Sequence, residues 1–177
     1  SNPDEIDINM IAVPGTNKKN WGTVHSKART VTEDRADCFY VFDAGDWSSG
    51  ISDWYGQIET EDSNYSATYY PWVKIFDEEN NKSVWVPPST VLPGVIAFTD
   101  KVSHEWFAPA GLNRGGLTEV TMAKERLTHS ERDTLYENRV NPIATFPGQG
   151  VVVWGQKTLQ AKPSALDRVN VRRLLIK

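Results

Sequence analysis

The residues best suited to acid–base or metal chemistry are His25, His104, His129 and a single cysteine, Cys38. No two of the histidines have ligand spacing, whereas a zinc site needs convergent nitrogen and sulfur donors. Cys38 opens an apolar run, and a reactive thiolate needs an exposed, electropositive setting, so this thiol reads as buried and inert. A lone cysteine also excludes an intramolecular disulfide and points to a reducing compartment. Ser103-His104-Glu105 holds the residue types of a hydrolytic triad. Adjacent residues on an extended segment face opposite ways, however, so the three cannot form a triad by themselves. The strained G-x-S-x-G turn of a serine hydrolase is also missing. Asn113-Arg114-Gly115-Gly116 matches neither a phosphate-binding loop nor a dinucleotide fingerprint, and reads as a turn needing positive φ. The acidic pairs and clusters Glu33-Asp34, Glu59 to Asp62 and Glu78-Glu79 lack calcium-loop spacing. These residues predict no catalytic site, no metal and no cofactor.

The elements that would position such residues alternate between strand and helix patterns, which predicts an α/β fold with a mixed β-sheet flanked by helices. Residues 6–13 read as a buried strand closed by Pro14-Gly15. Residues 20–34 read as a helix whose apolar face is Trp21, Val24, Ala28 and Val31. Residues 38–44 are uniformly apolar, which predicts a strand covered on both sides. Ser48 or Ser49 is expected to cap a short helix through Trp54, Tyr55 and Ile58. Residues 64–69 read as a second short helix. Residues 70–77 read as a strand with Pro71 near its start, where a missing N–H costs least. A turn at 78–81 and a hairpin partner at 82–86 follow. Ser89 is a good N-cap residue for the next helix, with Pro93 near its first turn. Residues 103–118 read as a loop. Thr128-x-x-Glu131 is a capping box that opens a helix ending near Asn138. The last strands are expected at 140–144 and 150–154, and Asn170 is expected to cap a final helix.

The chain has 177 residues, enough for one domain with a sizeable core. No apolar run approaches the roughly 18 residues that span a bilayer. The 7 Trp, 6 Tyr and 6 Phe include a cluster at Trp47, Trp54, Tyr55, Tyr65, Tyr69, Tyr70 and Trp72. Such rings serve as core, as an assembly interface or as a stacking platform for a glycan. A net charge of −4 argues against nucleic acid as the main partner. Residues 157–177 nevertheless carry six cations against Asp167 alone, a local net of +5. That asymmetry suits docking on an acidic surface, or a solvated basic helix face. The pattern at Leu174-Leu175-Ile176 stops at Lys177 without a helix cap, and Ser1 to Met10 has no signal-peptide core. Both predict a piece of a longer protein.

Six phrases in order carry a resemblance. They are INMIAVPG at 8–15, SATYYPW at 66–72, the VPPS segment with G-x-x-A-x-T-D from Val86 to Asp100, W-x-A-P-A-G from Trp106 to Gly111, VWGQKTL at 153–159 and VNVRRLLI at 169–176. Together they cover nearly the whole chain, and the chain resembles the contractile tail sheath proteins of myoviruses, nearest to those of T-even-type phages. The resemblance implies a sheath core with subtilisin-like topology and no catalytic triad. It implies a structural subunit, not an enzyme, that polymerises as stacked hexameric rings around an inner tail tube. Contraction then drives the tube through the host envelope during genome delivery, without a nucleotide. The implied partners are further copies of itself, the tail tube protein, and baseplate and tail terminator proteins, with no direct nucleic-acid contact and no membrane insertion. The implied place is the virion tail, after assembly in the bacterial host cytoplasm.

Carried onto this chain, the family pattern makes residues 1–160 the sheath core and residues 161–177 the truncated start of a tube-facing region. Arg168, Arg172, Arg173 and Lys177 become the expected contacts to the tube or to a neighbouring subunit. The family links subunits by terminal arms that add strands to a neighbour's sheet, and those arms are expected to lie outside this chain. An aromatic-lined glycan-binding module is the alternative reading, and a hydrolase with a triad assembled from distant residues is the third.

Overall fold

The computed structural model describes residues 5–176. Inside its larger sheet lies the strand predicted from the uniform apolar run, β2 (Phe39–Asp43), every residue of which is buried. Alternate residues face opposite cores, as the two-residue strand period requires. Phe39 and Val41 join one cluster, while Tyr40 and Phe42 join the other. The sheet therefore is covered on both faces, as expected of a parallel sheet. Its order is β1-β2-β3-β7-β8, with β1 Met10–Asn17, β3 Ser66–Tyr70, β7 Val140–Phe146 and β8 Gly150–Val153. The first four strands run parallel, and β8 closes the edge as an antiparallel hairpin with β7. A second sheet, ordered β5-β4-β6, consists of β4 (Val73–Asp77), β5 (Lys82–Val86) and β6 (Val120–Ala123).

One face of the large sheet holds α3 (Pro88–Val102) and the inner side of the small sheet, through Leu92, Val95, Ile96, Val73 and Val120. The other face holds α1 (Gly22–Arg35), α2 (Ile51–Ile58) and α4 (His129–Glu137), with Trp54, Ile58 and Leu135 fully buried. The short α5 (Val169–Leu174) follows a 3₁₀ turn at Ala165–Asp167, and its Val169 is buried in the first core. The mixed, helix-flanked sheet is the predicted fold class.

Several local expectations change. The first strand lies later than predicted and runs through Pro14-Gly15, where the register shifts and Gly15 takes φ +85°. Residues 64–69 are not a helix: Ser66–Tyr70 is strand β3, paired between β2 and β7, because tertiary pairing overrides a neutral local propensity. The strand predicted at 70–77 begins at Val73, after a cis Tyr70–Pro71 bond. β6 has only four residues and carries no alternating signal by itself. Helix α1 forms, but Trp21, Val24 and Val31 are exposed, and the buried positions are His25 and Thr32. The caps expected at Ser48 or Ser49, at Ser89 and at Asn170 fall instead at Gly50, Pro87 and Arg168. Ser89 sits inside α3, where its N–H and hydroxyl both donate to the Asp43 carboxylate, at 3.1 and 2.5 Å. A strand residue thus satisfies the open end of a distant helix, a role usually taken by the local cap.

The capping box is as predicted. The Glu131 N–H donates to Thr128 Oγ1 at 3.3 Å, and the Thr128 N–H donates back to the Glu131 carboxylate at 2.7 Å. Thr128→Ala is expected to cost about 1 kcal/mol, read as a lower urea midpoint at unchanged slope.

Candidate interaction site

The residues with chemical potential do not converge. His25 is 3% exposed under α1, packed on Phe42 with ring centroids 4.3 Å apart. Its Nε2 lies 3.8 Å from the Glu61 carboxylate. That imidazole, then Lys18 and Arg29, holds Glu61 down to about 2, against the opposing effect of burial. His104 stacks on Trp106 in the loop after α3, and His129 pairs with Asp133 along α4 at 2.8 Å. Cys38 is fully buried, and burial raises its thiol. Ser103 ends α3, where its N–H donates to the Thr99 carbonyl. Among the described residues no group of three His, Cys, Asp or Glu is placed to hold a metal ion, and no helix is long and apolar enough to cross a membrane.

What the fold builds instead is a set of surfaces held rigidly from behind. Segment 111–117 runs along the outer edge of β8. The Val153 N–H donates to the Gly115 carbonyl at 2.7 Å, and the N–H groups of Gly111 and Leu117 donate to Val153 and Val151 at 2.8 and 2.9 Å. Gly115 fits because a Cβ there would stand 2.6 Å from the Val153 oxygen. The turn read at 113–116 is therefore a strap that seals one edge of the sheet. At the opposite edge, β1 pairs only with β2 among the described strands. Ile11 there faces an apolar groove with Val24, Ala28 and Val31 of α1.

The C-terminal cations are distributed unevenly. Arg168 stands at the start of α5, paired with Asp167 at 2.8 Å and with its side chain 38% exposed. Arg173 is buried and grips Asp100 of α3 through two bonds of 3.1 and 2.5 Å. Arg172 is buried with its guanidinium 3.5 Å from the centre of the Tyr65 ring. Lys177 lies outside the described residues. Leu174 and Leu175 point outward, at 44% and 62% exposure. The amphipathic sense of this helix is thus inverted: two arginines face in and two leucines face out. No local sequence signal marks Asp100 or Tyr65 as the partners, since both are distant along the chain.

The aromatic cluster divides. Trp54, Tyr69 and Tyr70 are enclosed, with Trp54 donating from Nε1 to Thr68 Oγ1 at 3.2 Å. Trp47 is 40% exposed and meets Trp72 edge-on at 5.7 Å and Trp85 at 4.8 Å.

Comparison with known proteins decides the family. Residues 5–159 match the phage tail sheath protein central domain. The chain belongs to the phage tail sheath family. The sheath domain is 40% identical over 134 residues to the tail sheath protein of Vibrio phage KVP40, covering 72% of this chain and 20% of that protein. It is also 40% identical over 99 residues to the tail sheath protein of Enterobacteria phage T4, covering 56% of this chain and 15% of that one. The chain thus spans about a fifth or less of the length of these relatives. Its structure resembles the helical sheath of the anti-feeding prophage in its contracted state, with TM-score 0.74 and 26% identity over 98% of this chain and 45% of the other. It also resembles a chain of the anti-feeding prophage baseplate, with TM-score 0.75 and 25% identity over 98% of this chain and 44% of the other. The matched span carries the mixed, helix-flanked sheet expected from its alternating strand and helix patterns.

Proposed function

We propose that the sheath domain serves as the central part of a contractile sheath subunit. In this reading the subunit polymerises as stacked hexameric rings around an inner tube in the virion tail, and the rings contract to drive the tube through the host envelope. The observation that carries the reading is the likeness of nearly the whole chain to a sheath in its contracted state. The partners would be further copies of the subunit, the tail tube protein, and baseplate and terminator proteins. Arg168 would be the outward cation at the start of the α5 contact, with Leu174 and Leu175 exposed at its other end. Arg172 and Arg173 would fix the orientation of that helix from within, and Lys177 would extend its charge. Exposed pairs made by Arg168 would be individually weak and salt-sensitive, which suits a contact that must release.

The glycan-platform alternative loses three of its seven rings to the core, because Trp54, Tyr69 and Tyr70 are enclosed. A chimera tests the assembly reading. The matching segment of the KVP40 tail sheath protein is replaced by this chain, expressed with its tube protein and imaged by negative-stain electron microscopy. Ringed sheaths on tubes are expected. A folded chimera that stays monomeric at every salt concentration would overturn the reading.

A further inference from the structure

Beyond the ends of β1 and β2 lies a cavity of about 220 Å³. Asp43 and Asp46 lie on its floor, Trp47 and Trp72 form walls, and Asn17 and Pro87 complete the rim. Asp43 is 1% exposed, and the donors bound to its carboxylate are the neutral N–H and hydroxyl of Ser89. Among the described residues no cation lies within ion-pair distance of it, whereas Asp46 has Lys19 at 3.3 Å. Buried charges are ordinarily paired. Burial without a counter-ion accordingly pushes the Asp43 carboxyl up to about 7.

The hydroxyls of Ser48 and Ser49 and the Asn20 side chain all donate to Asp46 and hold its carboxyl well below the usual range. The floor therefore keeps at least one negative charge at neutral pH. The walls are indole rings set edge to face, and Lys124 Nζ already lies 4.9 Å from the centre of the Trp47 ring, an electrostatic attraction that an incoming planar cation would share. With no third metal-ligating group at hand, the cation this chemistry fits is organic and planar. A guanidinium supplies paired N–H donors to a carboxylate and a flat face to an indole.

We propose that this cavity receives an arginine guanidinium carried by a second copy of the chain, bonded to Asp43 and stacked on Trp47. Charge complementarity names the partner: the same net-negative chain carries a segment of net +5 at 157–177, in which Arg168 is the arginine that faces outward. The identity of the partner rests on the assembly reading, while the guanidinium chemistry does not.

The test titrates the protein with N-ethylguanidinium at constant ionic strength, following indole fluorescence and the Trp72 Nε1–H resonance. Saturable binding is expected, weakened at least tenfold in Asp43→Asn and in Trp47→Ala. The neutral isostere N-ethylurea and a methyl glucoside should leave the signals unmoved. Absence of saturation, equal response to the urea, saturation by the glucoside instead, or undiminished binding in both folded variants would each overturn the site. Trp47→Ala keeps the test decisive if Asp43→Asn fails to fold. The partner is tested separately by placing the Asp43→Asn and Trp47→Ala substitutions in the chimera. Fewer or shorter sheaths than the parent chimera support a second copy, and unchanged sheaths overturn it. A parent chimera that never assembles removes both the assembly reading and the second-copy assignment, and leaves the binding result to stand or fall by itself.

Discussion

Asn141→Ala is expected to destabilise the protein by roughly 3 kcal/mol or more, because each buried polar group left without a partner costs about 1–3 kcal/mol. The Asn141 side chain is fully buried in β7. Its Nδ2 donates to the Thr68 carbonyl of β3 at 3.1 Å and to the Lys157 carbonyl at 2.8 Å, and its Oδ1 accepts from the Lys157 N–H at 2.6 Å. Alanine would therefore strand two carbonyls and one N–H at the seam between the sheet and the C-terminal segment. Gly155 next to it has no room for a side chain, since a Cβ would lie 2.8 Å from Asn141 Oδ1. Urea unfolding should show a lower midpoint, and the melting temperature should fall by about 10 °C or more for a chain of this size. A loss under 1 kcal/mol would show that water replaces all three bonds.

Asp43 is expected to make the protein less stable as pH rises from about 4 to about 7. Its folded value of about 7 lies above the ordinary carboxylate value, which is about 3.9 in an unfolded chain. Within that window the folded state holds a proton that the unfolded chain has released, so stability is full below the window and declines through it. The slope is at most ~1.4 kcal/mol per pH unit and vanishes once both states are ionised. Tyr40, whose hydroxyl is raised first by burial and then by the Asp43 charge, stays neutral throughout. Glu61 acts with the opposite sign. Its depressed value of about 2 means that its contribution is complete at higher pH and is lost as the pH falls below about 4.5. The two groups together place the stability maximum near pH 4–5 on urea titrations at stepped pH. Asp43→Asn should flatten the limb between about 4 and 7. If that limb persists in the variant, Asp43 is not its source.

The sequence made the strongest elements readable where a local pattern had a single physical reading. β2 was legible because five consecutive buried residues leave no wet face, and α4 because Thr128 and Glu131 close on each other locally. The misreadings share a cause: the partner was remote. α1 buries His25 because Glu61 and the rings of Tyr40 and Phe42 receive it, and those residues announce nothing about a histidine 15 or more positions away. Ser89 looked like a cap because the acceptor at its own helix end, Asp43, lies 46 residues earlier. The basic stretch was legible as a charge asymmetry, but not as two arginines turned inward, since Asp100 is 73 residues from Arg173. The family was legible because six short phrases kept their order, a signal that survives errors in individual strands.

The seam at β3 and β7 has a mechanical meaning. β1, β2, β3 and β7 lie side by side and point the same way, so a pull along their axes loads each inter-strand ladder in shear, with its bonds sharing the force together. A pull across the sheet would peel the same bonds one after another. On the far side of β7, Arg139 donates to the carbonyls of Ile58, Glu59, Glu61 and Leu159, and so fastens the end of α2 to the segment that follows β8. The domain is therefore stiff in one direction and comparatively weak in the direction at right angles to it. A body of this kind resists load along its strands as a strut does, and its terminal helix is locked to α3 through Arg173 and Asp100.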